Sequence, residues 1–388
     1  MRISRRTLTL SAVTSPFVIP AVAHSQATPP ASHAFEHATD RLLALLEYVP
    51  RRVPDEDLNV MWTDIERHLP SVLDHAGAAA EELPEDQLAS MSLYAAGSDF
   101  FSWAYELESI TGYTFATIRE TVAFGNTPAA GLLVKLDISA DSLIPFWESQ
   151  DYQQLENEFG TFWSMDETAA ISFENPIQRR MMARLNNVAI LEDDLVVYAT
   201  TSEFLRRVMS TASGDSPNRV SALDGVAAGF PEDATSAWFL DGGMLEYGAV
   251  IGPLLFADEL ASVAEEMMAE SDDAVGIMPI IGTVCVGAAA GGHLNDELHN
   301  PDAREFMVLE TSRFNMAEQA AKVIDWRIEN FYSLDSAAPY AELLSNLQID
   351  VIDGETVRLS RPMSVPRPML LRLVANRDVL PFTFKWGQ

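Results

Sequence analysis

The sequence of 388 residues contains a single cysteine, Cys285. One cysteine cannot form an internal disulfide, a zinc-finger framework or a redox-active cysteine pair, so these three features are excluded. Cys285 stands in an apolar stretch, where burial raises the pKa of a thiol and lowers its reactivity. We therefore expect this thiol to be inert.

Positive charge is also scarce. Lys and Arg together number 25, against 57 Asp and Glu, which gives a formal net charge of −32. A negative excess of this size repels nucleic-acid phosphates and anionic lipid headgroups, so we expect neither as a partner. Hydrophobic residues make up 48% of the chain, an ordinary fraction for a globular protein, and disorder over most of the length is not expected.

The motifs of several common enzyme classes are missing. The sequence has no G-x-S-x-G elbow, no S-x-x-K, no H-E-x-x-H and no G-x-x-x-x-G-K-[ST] loop. These absences argue against serine hydrolases of that type, zinc proteases and P-loop nucleotide enzymes. We predict no cofactor, and the catalytic residues of any other reaction cannot be assigned from the sequence.

The first 27 residues have the pattern of an export signal. Arg2, Arg5 and Arg6 precede an uncharged, moderately apolar stretch at 8–23, which ends in the small residues of Ala-Val-Ala. The sequence SRRTL at 4–8 resembles a twin-arginine signal, although Thr9 replaces the usual second apolar residue. We predict a signal peptide at 1–27 and export across the cytoplasmic membrane to the periplasm, cell surface or exterior.

A second apolar stretch, at 274–292, contains no charged residue. Its length allows a membrane span, but its glycines and β-branched residues favour a buried strand or hairpin. We predict the strand, and no stable membrane span once the signal has been removed.

The remaining pattern indicates an α+β fold with mainly antiparallel sheets. We predict a helical N-terminal portion at 28–110, a first α+β unit at 111–225 and a second at 226–388. In the N-terminal portion, Val60, Met61 and Ile65 recur at helical spacing after Asp55.

The order strand–helix–strand–strand–helix occurs twice, near 131–211 and 305–377, and predicts an internal repeat. Further expectations are a strand at 169–173, hairpins at 187–199 and 348–359, and a helix capped by Thr201. Asp353-Gly354 in the second hairpin is typical of a type I′ turn.

Short segments over 110–382 resemble a family of exported bacterial proteins with no assigned activity. They are ITGY at 110–113, FGNTP at 124–128 and NRDVLPF at 376–382, with a strand ending near Asp137 and a helix ending near Asp151. The resemblance implies an α+β fold and a location in the cell envelope, and it supplies no catalytic residues.

Histidines and carboxylates lie close together in two segments of the sequence. His33, Glu36, His37 and Asp40 fall on one helical face, and His293, Asp296 and His299 lie in a polar loop that also holds Asp302. Imidazole and carboxylate can bind divalent metals, but neither spacing matches an established metal motif. A solvated helix turn and a strand connection explain them, so we predict no metal site and keep His293, Asp296 and His299 as weak candidates.

Two functional hypotheses follow. The preferred one is a non-catalytic binding or interaction protein of the bacterial envelope, with an unidentified protein or small-molecule partner. The alternative is a hydrolase or metal-dependent enzyme whose site is built from scattered carboxylates and histidines. A concave pocket with converging acidic or histidine side chains would favour the enzyme.

Overall fold

An antiparallel sheet of twelve strands forms the centre of the structure. The computed structural model describes residues 37–51, 58–68, 107–126, 128–243, 280–289, 303–333, 336–363, 369–376 and 378–382. The strands are β1 (Asn59–Asp64), β2 (Ile118–Asn126), β3 (Ala129–Leu136), β4 (Gln153–Asn157), β5 (Gly160–Ser164), β6 (Asn187–Glu192), β7 (Leu195–Ala199), β8 (Ala234–Asp241), β9 (Ile281–Ala289), β10 (Arg304–Thr311), β11 (Gln348–Val351) and β12 (Thr356–Pro362). Their order across the sheet is β11-β12-β10-β9-β8-β1-β2-β3-β7-β6-β5-β4.

Helices pack on both faces of this sheet, so the predicted α+β class with antiparallel pairing is confirmed. The helices are α1 (Ala38–Leu46), α2 (Ile65–His68), α3 (Leu107–Thr111), α4 (Ile144–Ser149), α5 (Pro176–Met181), α6 (Ser202–Ala212), α7 (Val220–Ala228), α8 (Ala317–Asn330), α9 (Tyr340–Leu343) and α10 (Met369–Ala375). Short 3₁₀ turns lie at Phe115–Thr117, Ala140–Leu143 and Leu380–Phe382.

Strand β1 lies in the middle of the sheet, where the sequence predicts a helix. It pairs with β2 on one side and with β8 on the other. Val60, Trp62 and Asp64 alternate along it and are all buried, which is the period of a strand. The prediction of a helix here is wrong because pairing with two distant strands outweighs the local helical spacing.

Three groups of buried side chains hold the helices to the sheet. We call the face that carries Trp62 the Trp62 face; α1, α6 and α7 pack on it. On the opposite face, α3, α4 and α5 cover β2, β3, β5, β6 and β7. Helices α8, α9 and α10 cover β9, β10 and β12 on that same face. Each large apolar side chain that is fully buried contributes about 1.5–3 kcal/mol.

Several local predictions are confirmed. Strands β6 and β7 form the first hairpin, β9 is the expected buried strand within 274–292, and α10 occupies the apolar segment near the C-terminus. The side chain of Thr201 accepts a hydrogen bond from the N–H of Phe204 and so caps α6. Within the described ranges, no helix is long and apolar enough to cross a membrane.

Two local predictions are wrong. Residues 169–173 form irregular backbone between β5 and α5. The hairpin of β11 and β12 exists, but the Ile352 N–H donates to the Thr356 carbonyl and the Asp353 side chain accepts from the N–H groups of Glu355 and Thr356. These bonds close a loop longer than the two-residue type I′ turn.

Candidate functional site

A polar cavity of about 480 Å³ opens on the Trp62 face near one edge of the sheet. Strands β10, β11 and β12 supply one wall, and the loop between α7 and β8 supplies the other. Its lining residues are Pro231, Glu232, Asp233, Arg304, Phe306, Gln348, Asp350, Arg358 and Ser360. The volume lies within the range of small-molecule sites in proteins. We call it the Arg304–Arg358 cavity.

The cavity exists because the Trp62 face changes character beyond β10. The row that starts at Trp62 continues through Ala237, Gly287 and Phe306, and then reaches Ser360 and Gln348. The members of this row before Ser360 are apolar or glycine, whereas those on β12 and β11 are polar.

The helices that follow the two comparable hairpins lie on different faces. Helix α6, which follows β7, packs on the Trp62 face, whereas α10, which follows β12, packs on the opposite face. On the Trp62 face, helix α7 reaches only the start of β12, where the Thr356 hydroxyl donates to the Gly225 carbonyl at 3.4 Å. Among the described residues, no helix residue lines the cavity over Arg358, Ser360 and Gln348.

Aromatic packing fixes the floor and the loop wall. The Phe306 ring is buried and lies 5.4 Å from the Phe230 ring, which stacks on Phe239 at 5.6 Å. Phe230 immediately precedes the loop at 231–233, so this contact anchors that loop over the strands. At position 287 an alanine Cβ would lie 2.1 Å from the Ser236 carbonyl oxygen and 2.7 Å from the Phe306 ring, and glycine avoids both contacts.

Two ion pairs set the electrostatics of the cavity. Arg304 Nη2 lies 2.7 Å from both carboxylate oxygens of Asp233, and Arg358 Nη2 lies 3.2 Å from Asp350 Oδ2. These are partly exposed pairs, which contribute little to stability. A guanidinium has five N–H donors, so each arginine retains donors that point to no described protein acceptor. The cavity thus offers both cationic donors and carboxylate acceptors.

A second group of charged side chains serves the structure instead. Arg41 bridges the carboxylates of Asp64, at 2.6 Å, and Glu120, at 3.1 Å, and the Trp62 indole N–H donates to Glu120 at 3.1 Å. Burial raises the pKa of Glu120, and the Arg41 guanidinium opposes that rise. Both carboxylates are buried and committed to these partners, so they are poorly placed to reach a ligand.

Two further buried carboxylates have structural partners. Glu305 accepts the backbone N–H groups of Met369 and Leu370, at 3.0 and 2.7 Å, and so caps the start of α10. Asp378 accepts a 2.5 Å hydrogen bond from the Ser333 hydroxyl. These contacts tie the C-terminal segment to the sheet.

Most of the predicted site residues lie outside the part of the chain that the structure describes. These residues are Arg5, Arg6, His33, Glu36, His293, Asp296, His299 and Asp302. His37 precedes α1 and Asp40 lies in its first turn. Among the described residues, no group of three or more His, Cys, Asp or Glu could hold a metal ion. Cys285 is fully buried, and burial raises the pKa of its thiol, as predicted.

Sequence reasoning missed the lining residues of the cavity, although β12 carries a usable signal. Val357 and Leu359 alternate with Arg358 and Ser360, the pattern of a strand with one face on the core and one face open. Strand β7, by contrast, is apolar at every position and buried on both faces. Comparing the two hairpins would have indicated an uncovered polar face in the second one.

Comparison with known proteins leaves the chain without an assigned family. No protein-family model and no curated protein matches it. Among solved structures it is similar to crystal form III of TP0453, with a TM-score of 0.36 and 10% identity over 87% of this chain and 97% of that chain. Crystal form I gives a TM-score of 0.36 at 10% identity, covering 86% and 97% of the two chains. Values this low do not establish a common fold.

Proposed function

We propose that the protein is an exported, non-catalytic binding protein of the bacterial envelope, and that the Arg304–Arg358 cavity holds its ligand. The observation that carries the proposal is the cavity itself. It lies on an open part of the sheet face and is lined by positively and negatively charged side chains and by hydrogen-bond donors and acceptors. Such groups fix the orientation of a polar ligand.

The chemistry of the lining supports binding over catalysis. Asp233 and Asp350 are each held in an ion pair with an arginine, Arg304 and Arg358 respectively. The described lining residues include no histidine, cysteine or lysine. Among them Ser360 is the one hydroxyl nucleophile, and no imidazole in this described set can activate it.

A thermal-shift screen tests the binding function. Mature protein is heated with a panel of small polar compounds, and the same panel is applied to Arg304→Gln and Arg358→Gln. We expect at least one compound to raise the melting temperature of the wild type and to lose that effect in both variants. Arg206→Gln, which removes an exposed arginine–carboxylate pair elsewhere, is the matched control and should respond like the wild type.

Export through the twin-arginine route is part of the proposal. Its support is the pair Arg5 and Arg6 followed by the uncharged segment at 8–23. Changing both arginines to lysine preserves the charge but removes the planar guanidinium groups. We expect the double variant to accumulate as precursor in the cytoplasm. Normal export and processing of this variant would contradict the twin-arginine route and leave an ordinary secretory signal.

A hydrolase is the second candidate, because Glu232, Asp233 and Asp350 line one cavity. Paired carboxylates catalyse glycoside hydrolysis in many enzymes. Mature protein should be assayed against chromogenic glycosides and esters, together with Glu232→Gln and Asp350→Asn. Turnover that both substitutions abolish would replace the binding function with this one.

We also propose that the sheet consists of two repeated units. The order β1-β2-β3-β7-β6 on one side of the β1–β8 pair has the same connection pattern as β8-β9-β10-β12-β11 on the other, with β4 and β5 as an added hairpin. A sequence profile built from relatives should align 59–199 with 234–362. An alignment no better than that of shuffled sequences would contradict a duplication.

A further inference from the structure

We propose that the ligand of the Arg304–Arg358 cavity is a short peptide of about three residues with a free α-amino group and a free α-carboxylate. This inference rests on the proposed binding function and names its ligand class. It follows from the arrangement of charges, from the spacing between them and from the groups that lie between them.

The charges favour a zwitterion. Two arginines and three acidic residues line the cavity, and the whole chain carries a net charge of −32. A ligand with several negative charges would be repelled by this field, whereas a molecule with one charge of each sign and no net charge would not. A peptide with free termini meets that condition.

The two ion pairs differ in which groups they leave available. Both oxygens of Asp233 are engaged by Arg304 Nη2, whereas Arg358 engages Asp350 through Oδ2 alone. Asp350 Oδ1 can therefore accept from an ammonium group. At the other end, Arg304 has guanidinium N–H groups that Asp233 does not use. A guanidinium binds a carboxylate well because two of its N–H groups can donate to the two carboxylate oxygens. We assign the peptide's amino end to Asp350 and its carboxylate to Arg304.

The strand register sets the length. Phe306 and Ser360 are cross-strand partners in the row between Arg304 and the row of Arg358 and Asp350. Arg304 thus lies four residues along the strand direction from that row, or about 14 Å at about 3.4 Å per residue. Arg304 on β10 and Asp350 on β11 also lie two strands apart, which adds about 10 Å across the sheet and puts their Cα atoms about 17 Å from each other. The two side chains occupy part of that distance, and the remaining roughly 10 Å is the length of about three extended residues.

The middle of the cavity suits a peptide backbone. Ser360 and Gln348 lie side by side in one row and offer both hydrogen-bond donors and acceptors. Phe306 is the next member of that row beside Ser360, and its buried ring forms the apolar end of the row. Peptide amide groups between the two charged ends can bond to this row without any requirement for a particular side chain.

Isothermal titration calorimetry with trialanine tests the proposal. The mature wild-type protein is titrated with trialanine, N-acetyl-trialanine, trialanine amide and the dicarboxylate suberate. We expect trialanine to bind and each blocked analogue to bind about tenfold more weakly or worse, since each loses one charge-assisted contact. Dialanine and pentaalanine should also bind more weakly than trialanine.

Matched variants assign the two ends. Asp350→Asn should weaken trialanine binding about tenfold and leave the affinity for N-acetyl-trialanine unchanged, because that analogue has no ammonium group to lose. Arg304→Gln should also weaken trialanine binding about tenfold, and it should leave the affinity for trialanine amide unchanged because that analogue has no carboxylate. Arg206→Gln, at an exposed ion pair with Glu158 outside the cavity, should bind trialanine like the wild type. Circular dichroism and melting temperature confirm that each variant is folded.

The outcomes separate the ligand class from the binding function. Absence of trialanine binding, or binding that Arg304→Gln does not change, overturns the peptide assignment. If suberate or another compound binds instead and depends on Arg304 and Arg358, the binding function stands with a different ligand. If no compound binds in a way that depends on these arginines, both proposals fail.

Discussion

Arg41 holds together two carboxylates that face each other across the strand pair β1–β2. Asp64 and Glu120 are cross-strand partners, and both are buried. Like charges in that arrangement repel each other, and the guanidinium between them compensates both. Burial raises the pKa of Glu120, and the charge of Asp64 raises it further, while Arg41 lowers it.

Removing that cation should therefore destabilise the protein in a pH-dependent way. We expect Arg41→Met to lower the free energy of unfolding by about 3–5 kcal/mol near pH 8, because it removes the paired guanidinium from buried Glu120, whereas Asp64 keeps Arg67 at 3.6 Å. The pKa of folded Glu120 then rises further above its unfolded value. A raised pKa gives stability that is present at low pH and lost as pH rises through the folded pKa, so the loss should be smaller at pH 5.

Urea denaturation of wild type and Arg41→Met at both pH values measures this difference. Arg206→Met, which breaks an exposed pair, should leave the free energy of unfolding close to the wild-type value at either pH. An equal penalty for Arg41→Met at pH 5 and pH 8 would show that Glu120 does not titrate as described.

Two buried tyrosines of the same core provide a matched comparison. The Tyr152 hydroxyl donates to the Leu185 carbonyl at 2.6 Å, whereas the Tyr198 hydroxyl has no hydrogen-bond partner of good geometry among the described residues, although the Tyr113 hydroxyl is a neighbour. Tyr152→Phe should lower the free energy of unfolding by about 1–2 kcal/mol, because it leaves a buried carbonyl unpaired. Tyr198→Phe should be neutral or stabilising. Urea denaturation measures both, and the reverse order would contradict the assignment.

At the scale of elements, the sequence predicts well where the contacts that decide the structure are local. The cap at Thr201 and the β6–β7 hairpin depend on neighbours within a few residues and were predictable. Strand β1 depends on pairing with residues 118–126 and 234–241, so its local helical spacing was misleading. The cavity stays open because α10 packs on the face opposite Trp62. Its lining comes from four segments that are distant in sequence, namely the loop at 231–233 and strands β10, β11 and β12.

Gly287 lets β9 pack closely against β8 and against Phe306, so a larger residue at this position should destabilise the protein. An alanine Cβ there would collide with the Ser236 carbonyl and with the Phe306 ring. We expect Gly287→Ala to lower the free energy of unfolding by about 1–3 kcal/mol and to displace the cavity floor. Gly282→Ala on the same strand is the control, since its Cβ would meet nothing closer than 3.8 Å. Chemical denaturation should separate the two, and equal stability of both variants would contradict the packing argument.

At the scale of the molecule, the pairing of β1 with β8 joins the two halves into one sheet. Residues 59–63 pair with 236–240, so the proposed units at 59–199 and 234–362 are linked by backbone hydrogen bonds in addition to the chain. The apolar side chains on the Trp62 face also form one continuous group, from Ala189 in one half to Val308 in the other. A shared sheet and a shared core should unfold together.

We therefore expect a single cooperative unfolding transition, with tryptophan fluorescence and far-ultraviolet circular dichroism giving the same midpoint. A protease site inserted at Gly214 tests the link directly, because that turn is exposed and an added Cβ there would meet no atom within 4 Å. After cleavage, the two pieces should elute together in size-exclusion chromatography under native conditions, since separation would bare the edge of β8 that β1 now covers. Two separate transitions, or pieces that part without denaturant, would mean that the β1–β8 pair does not hold the halves together.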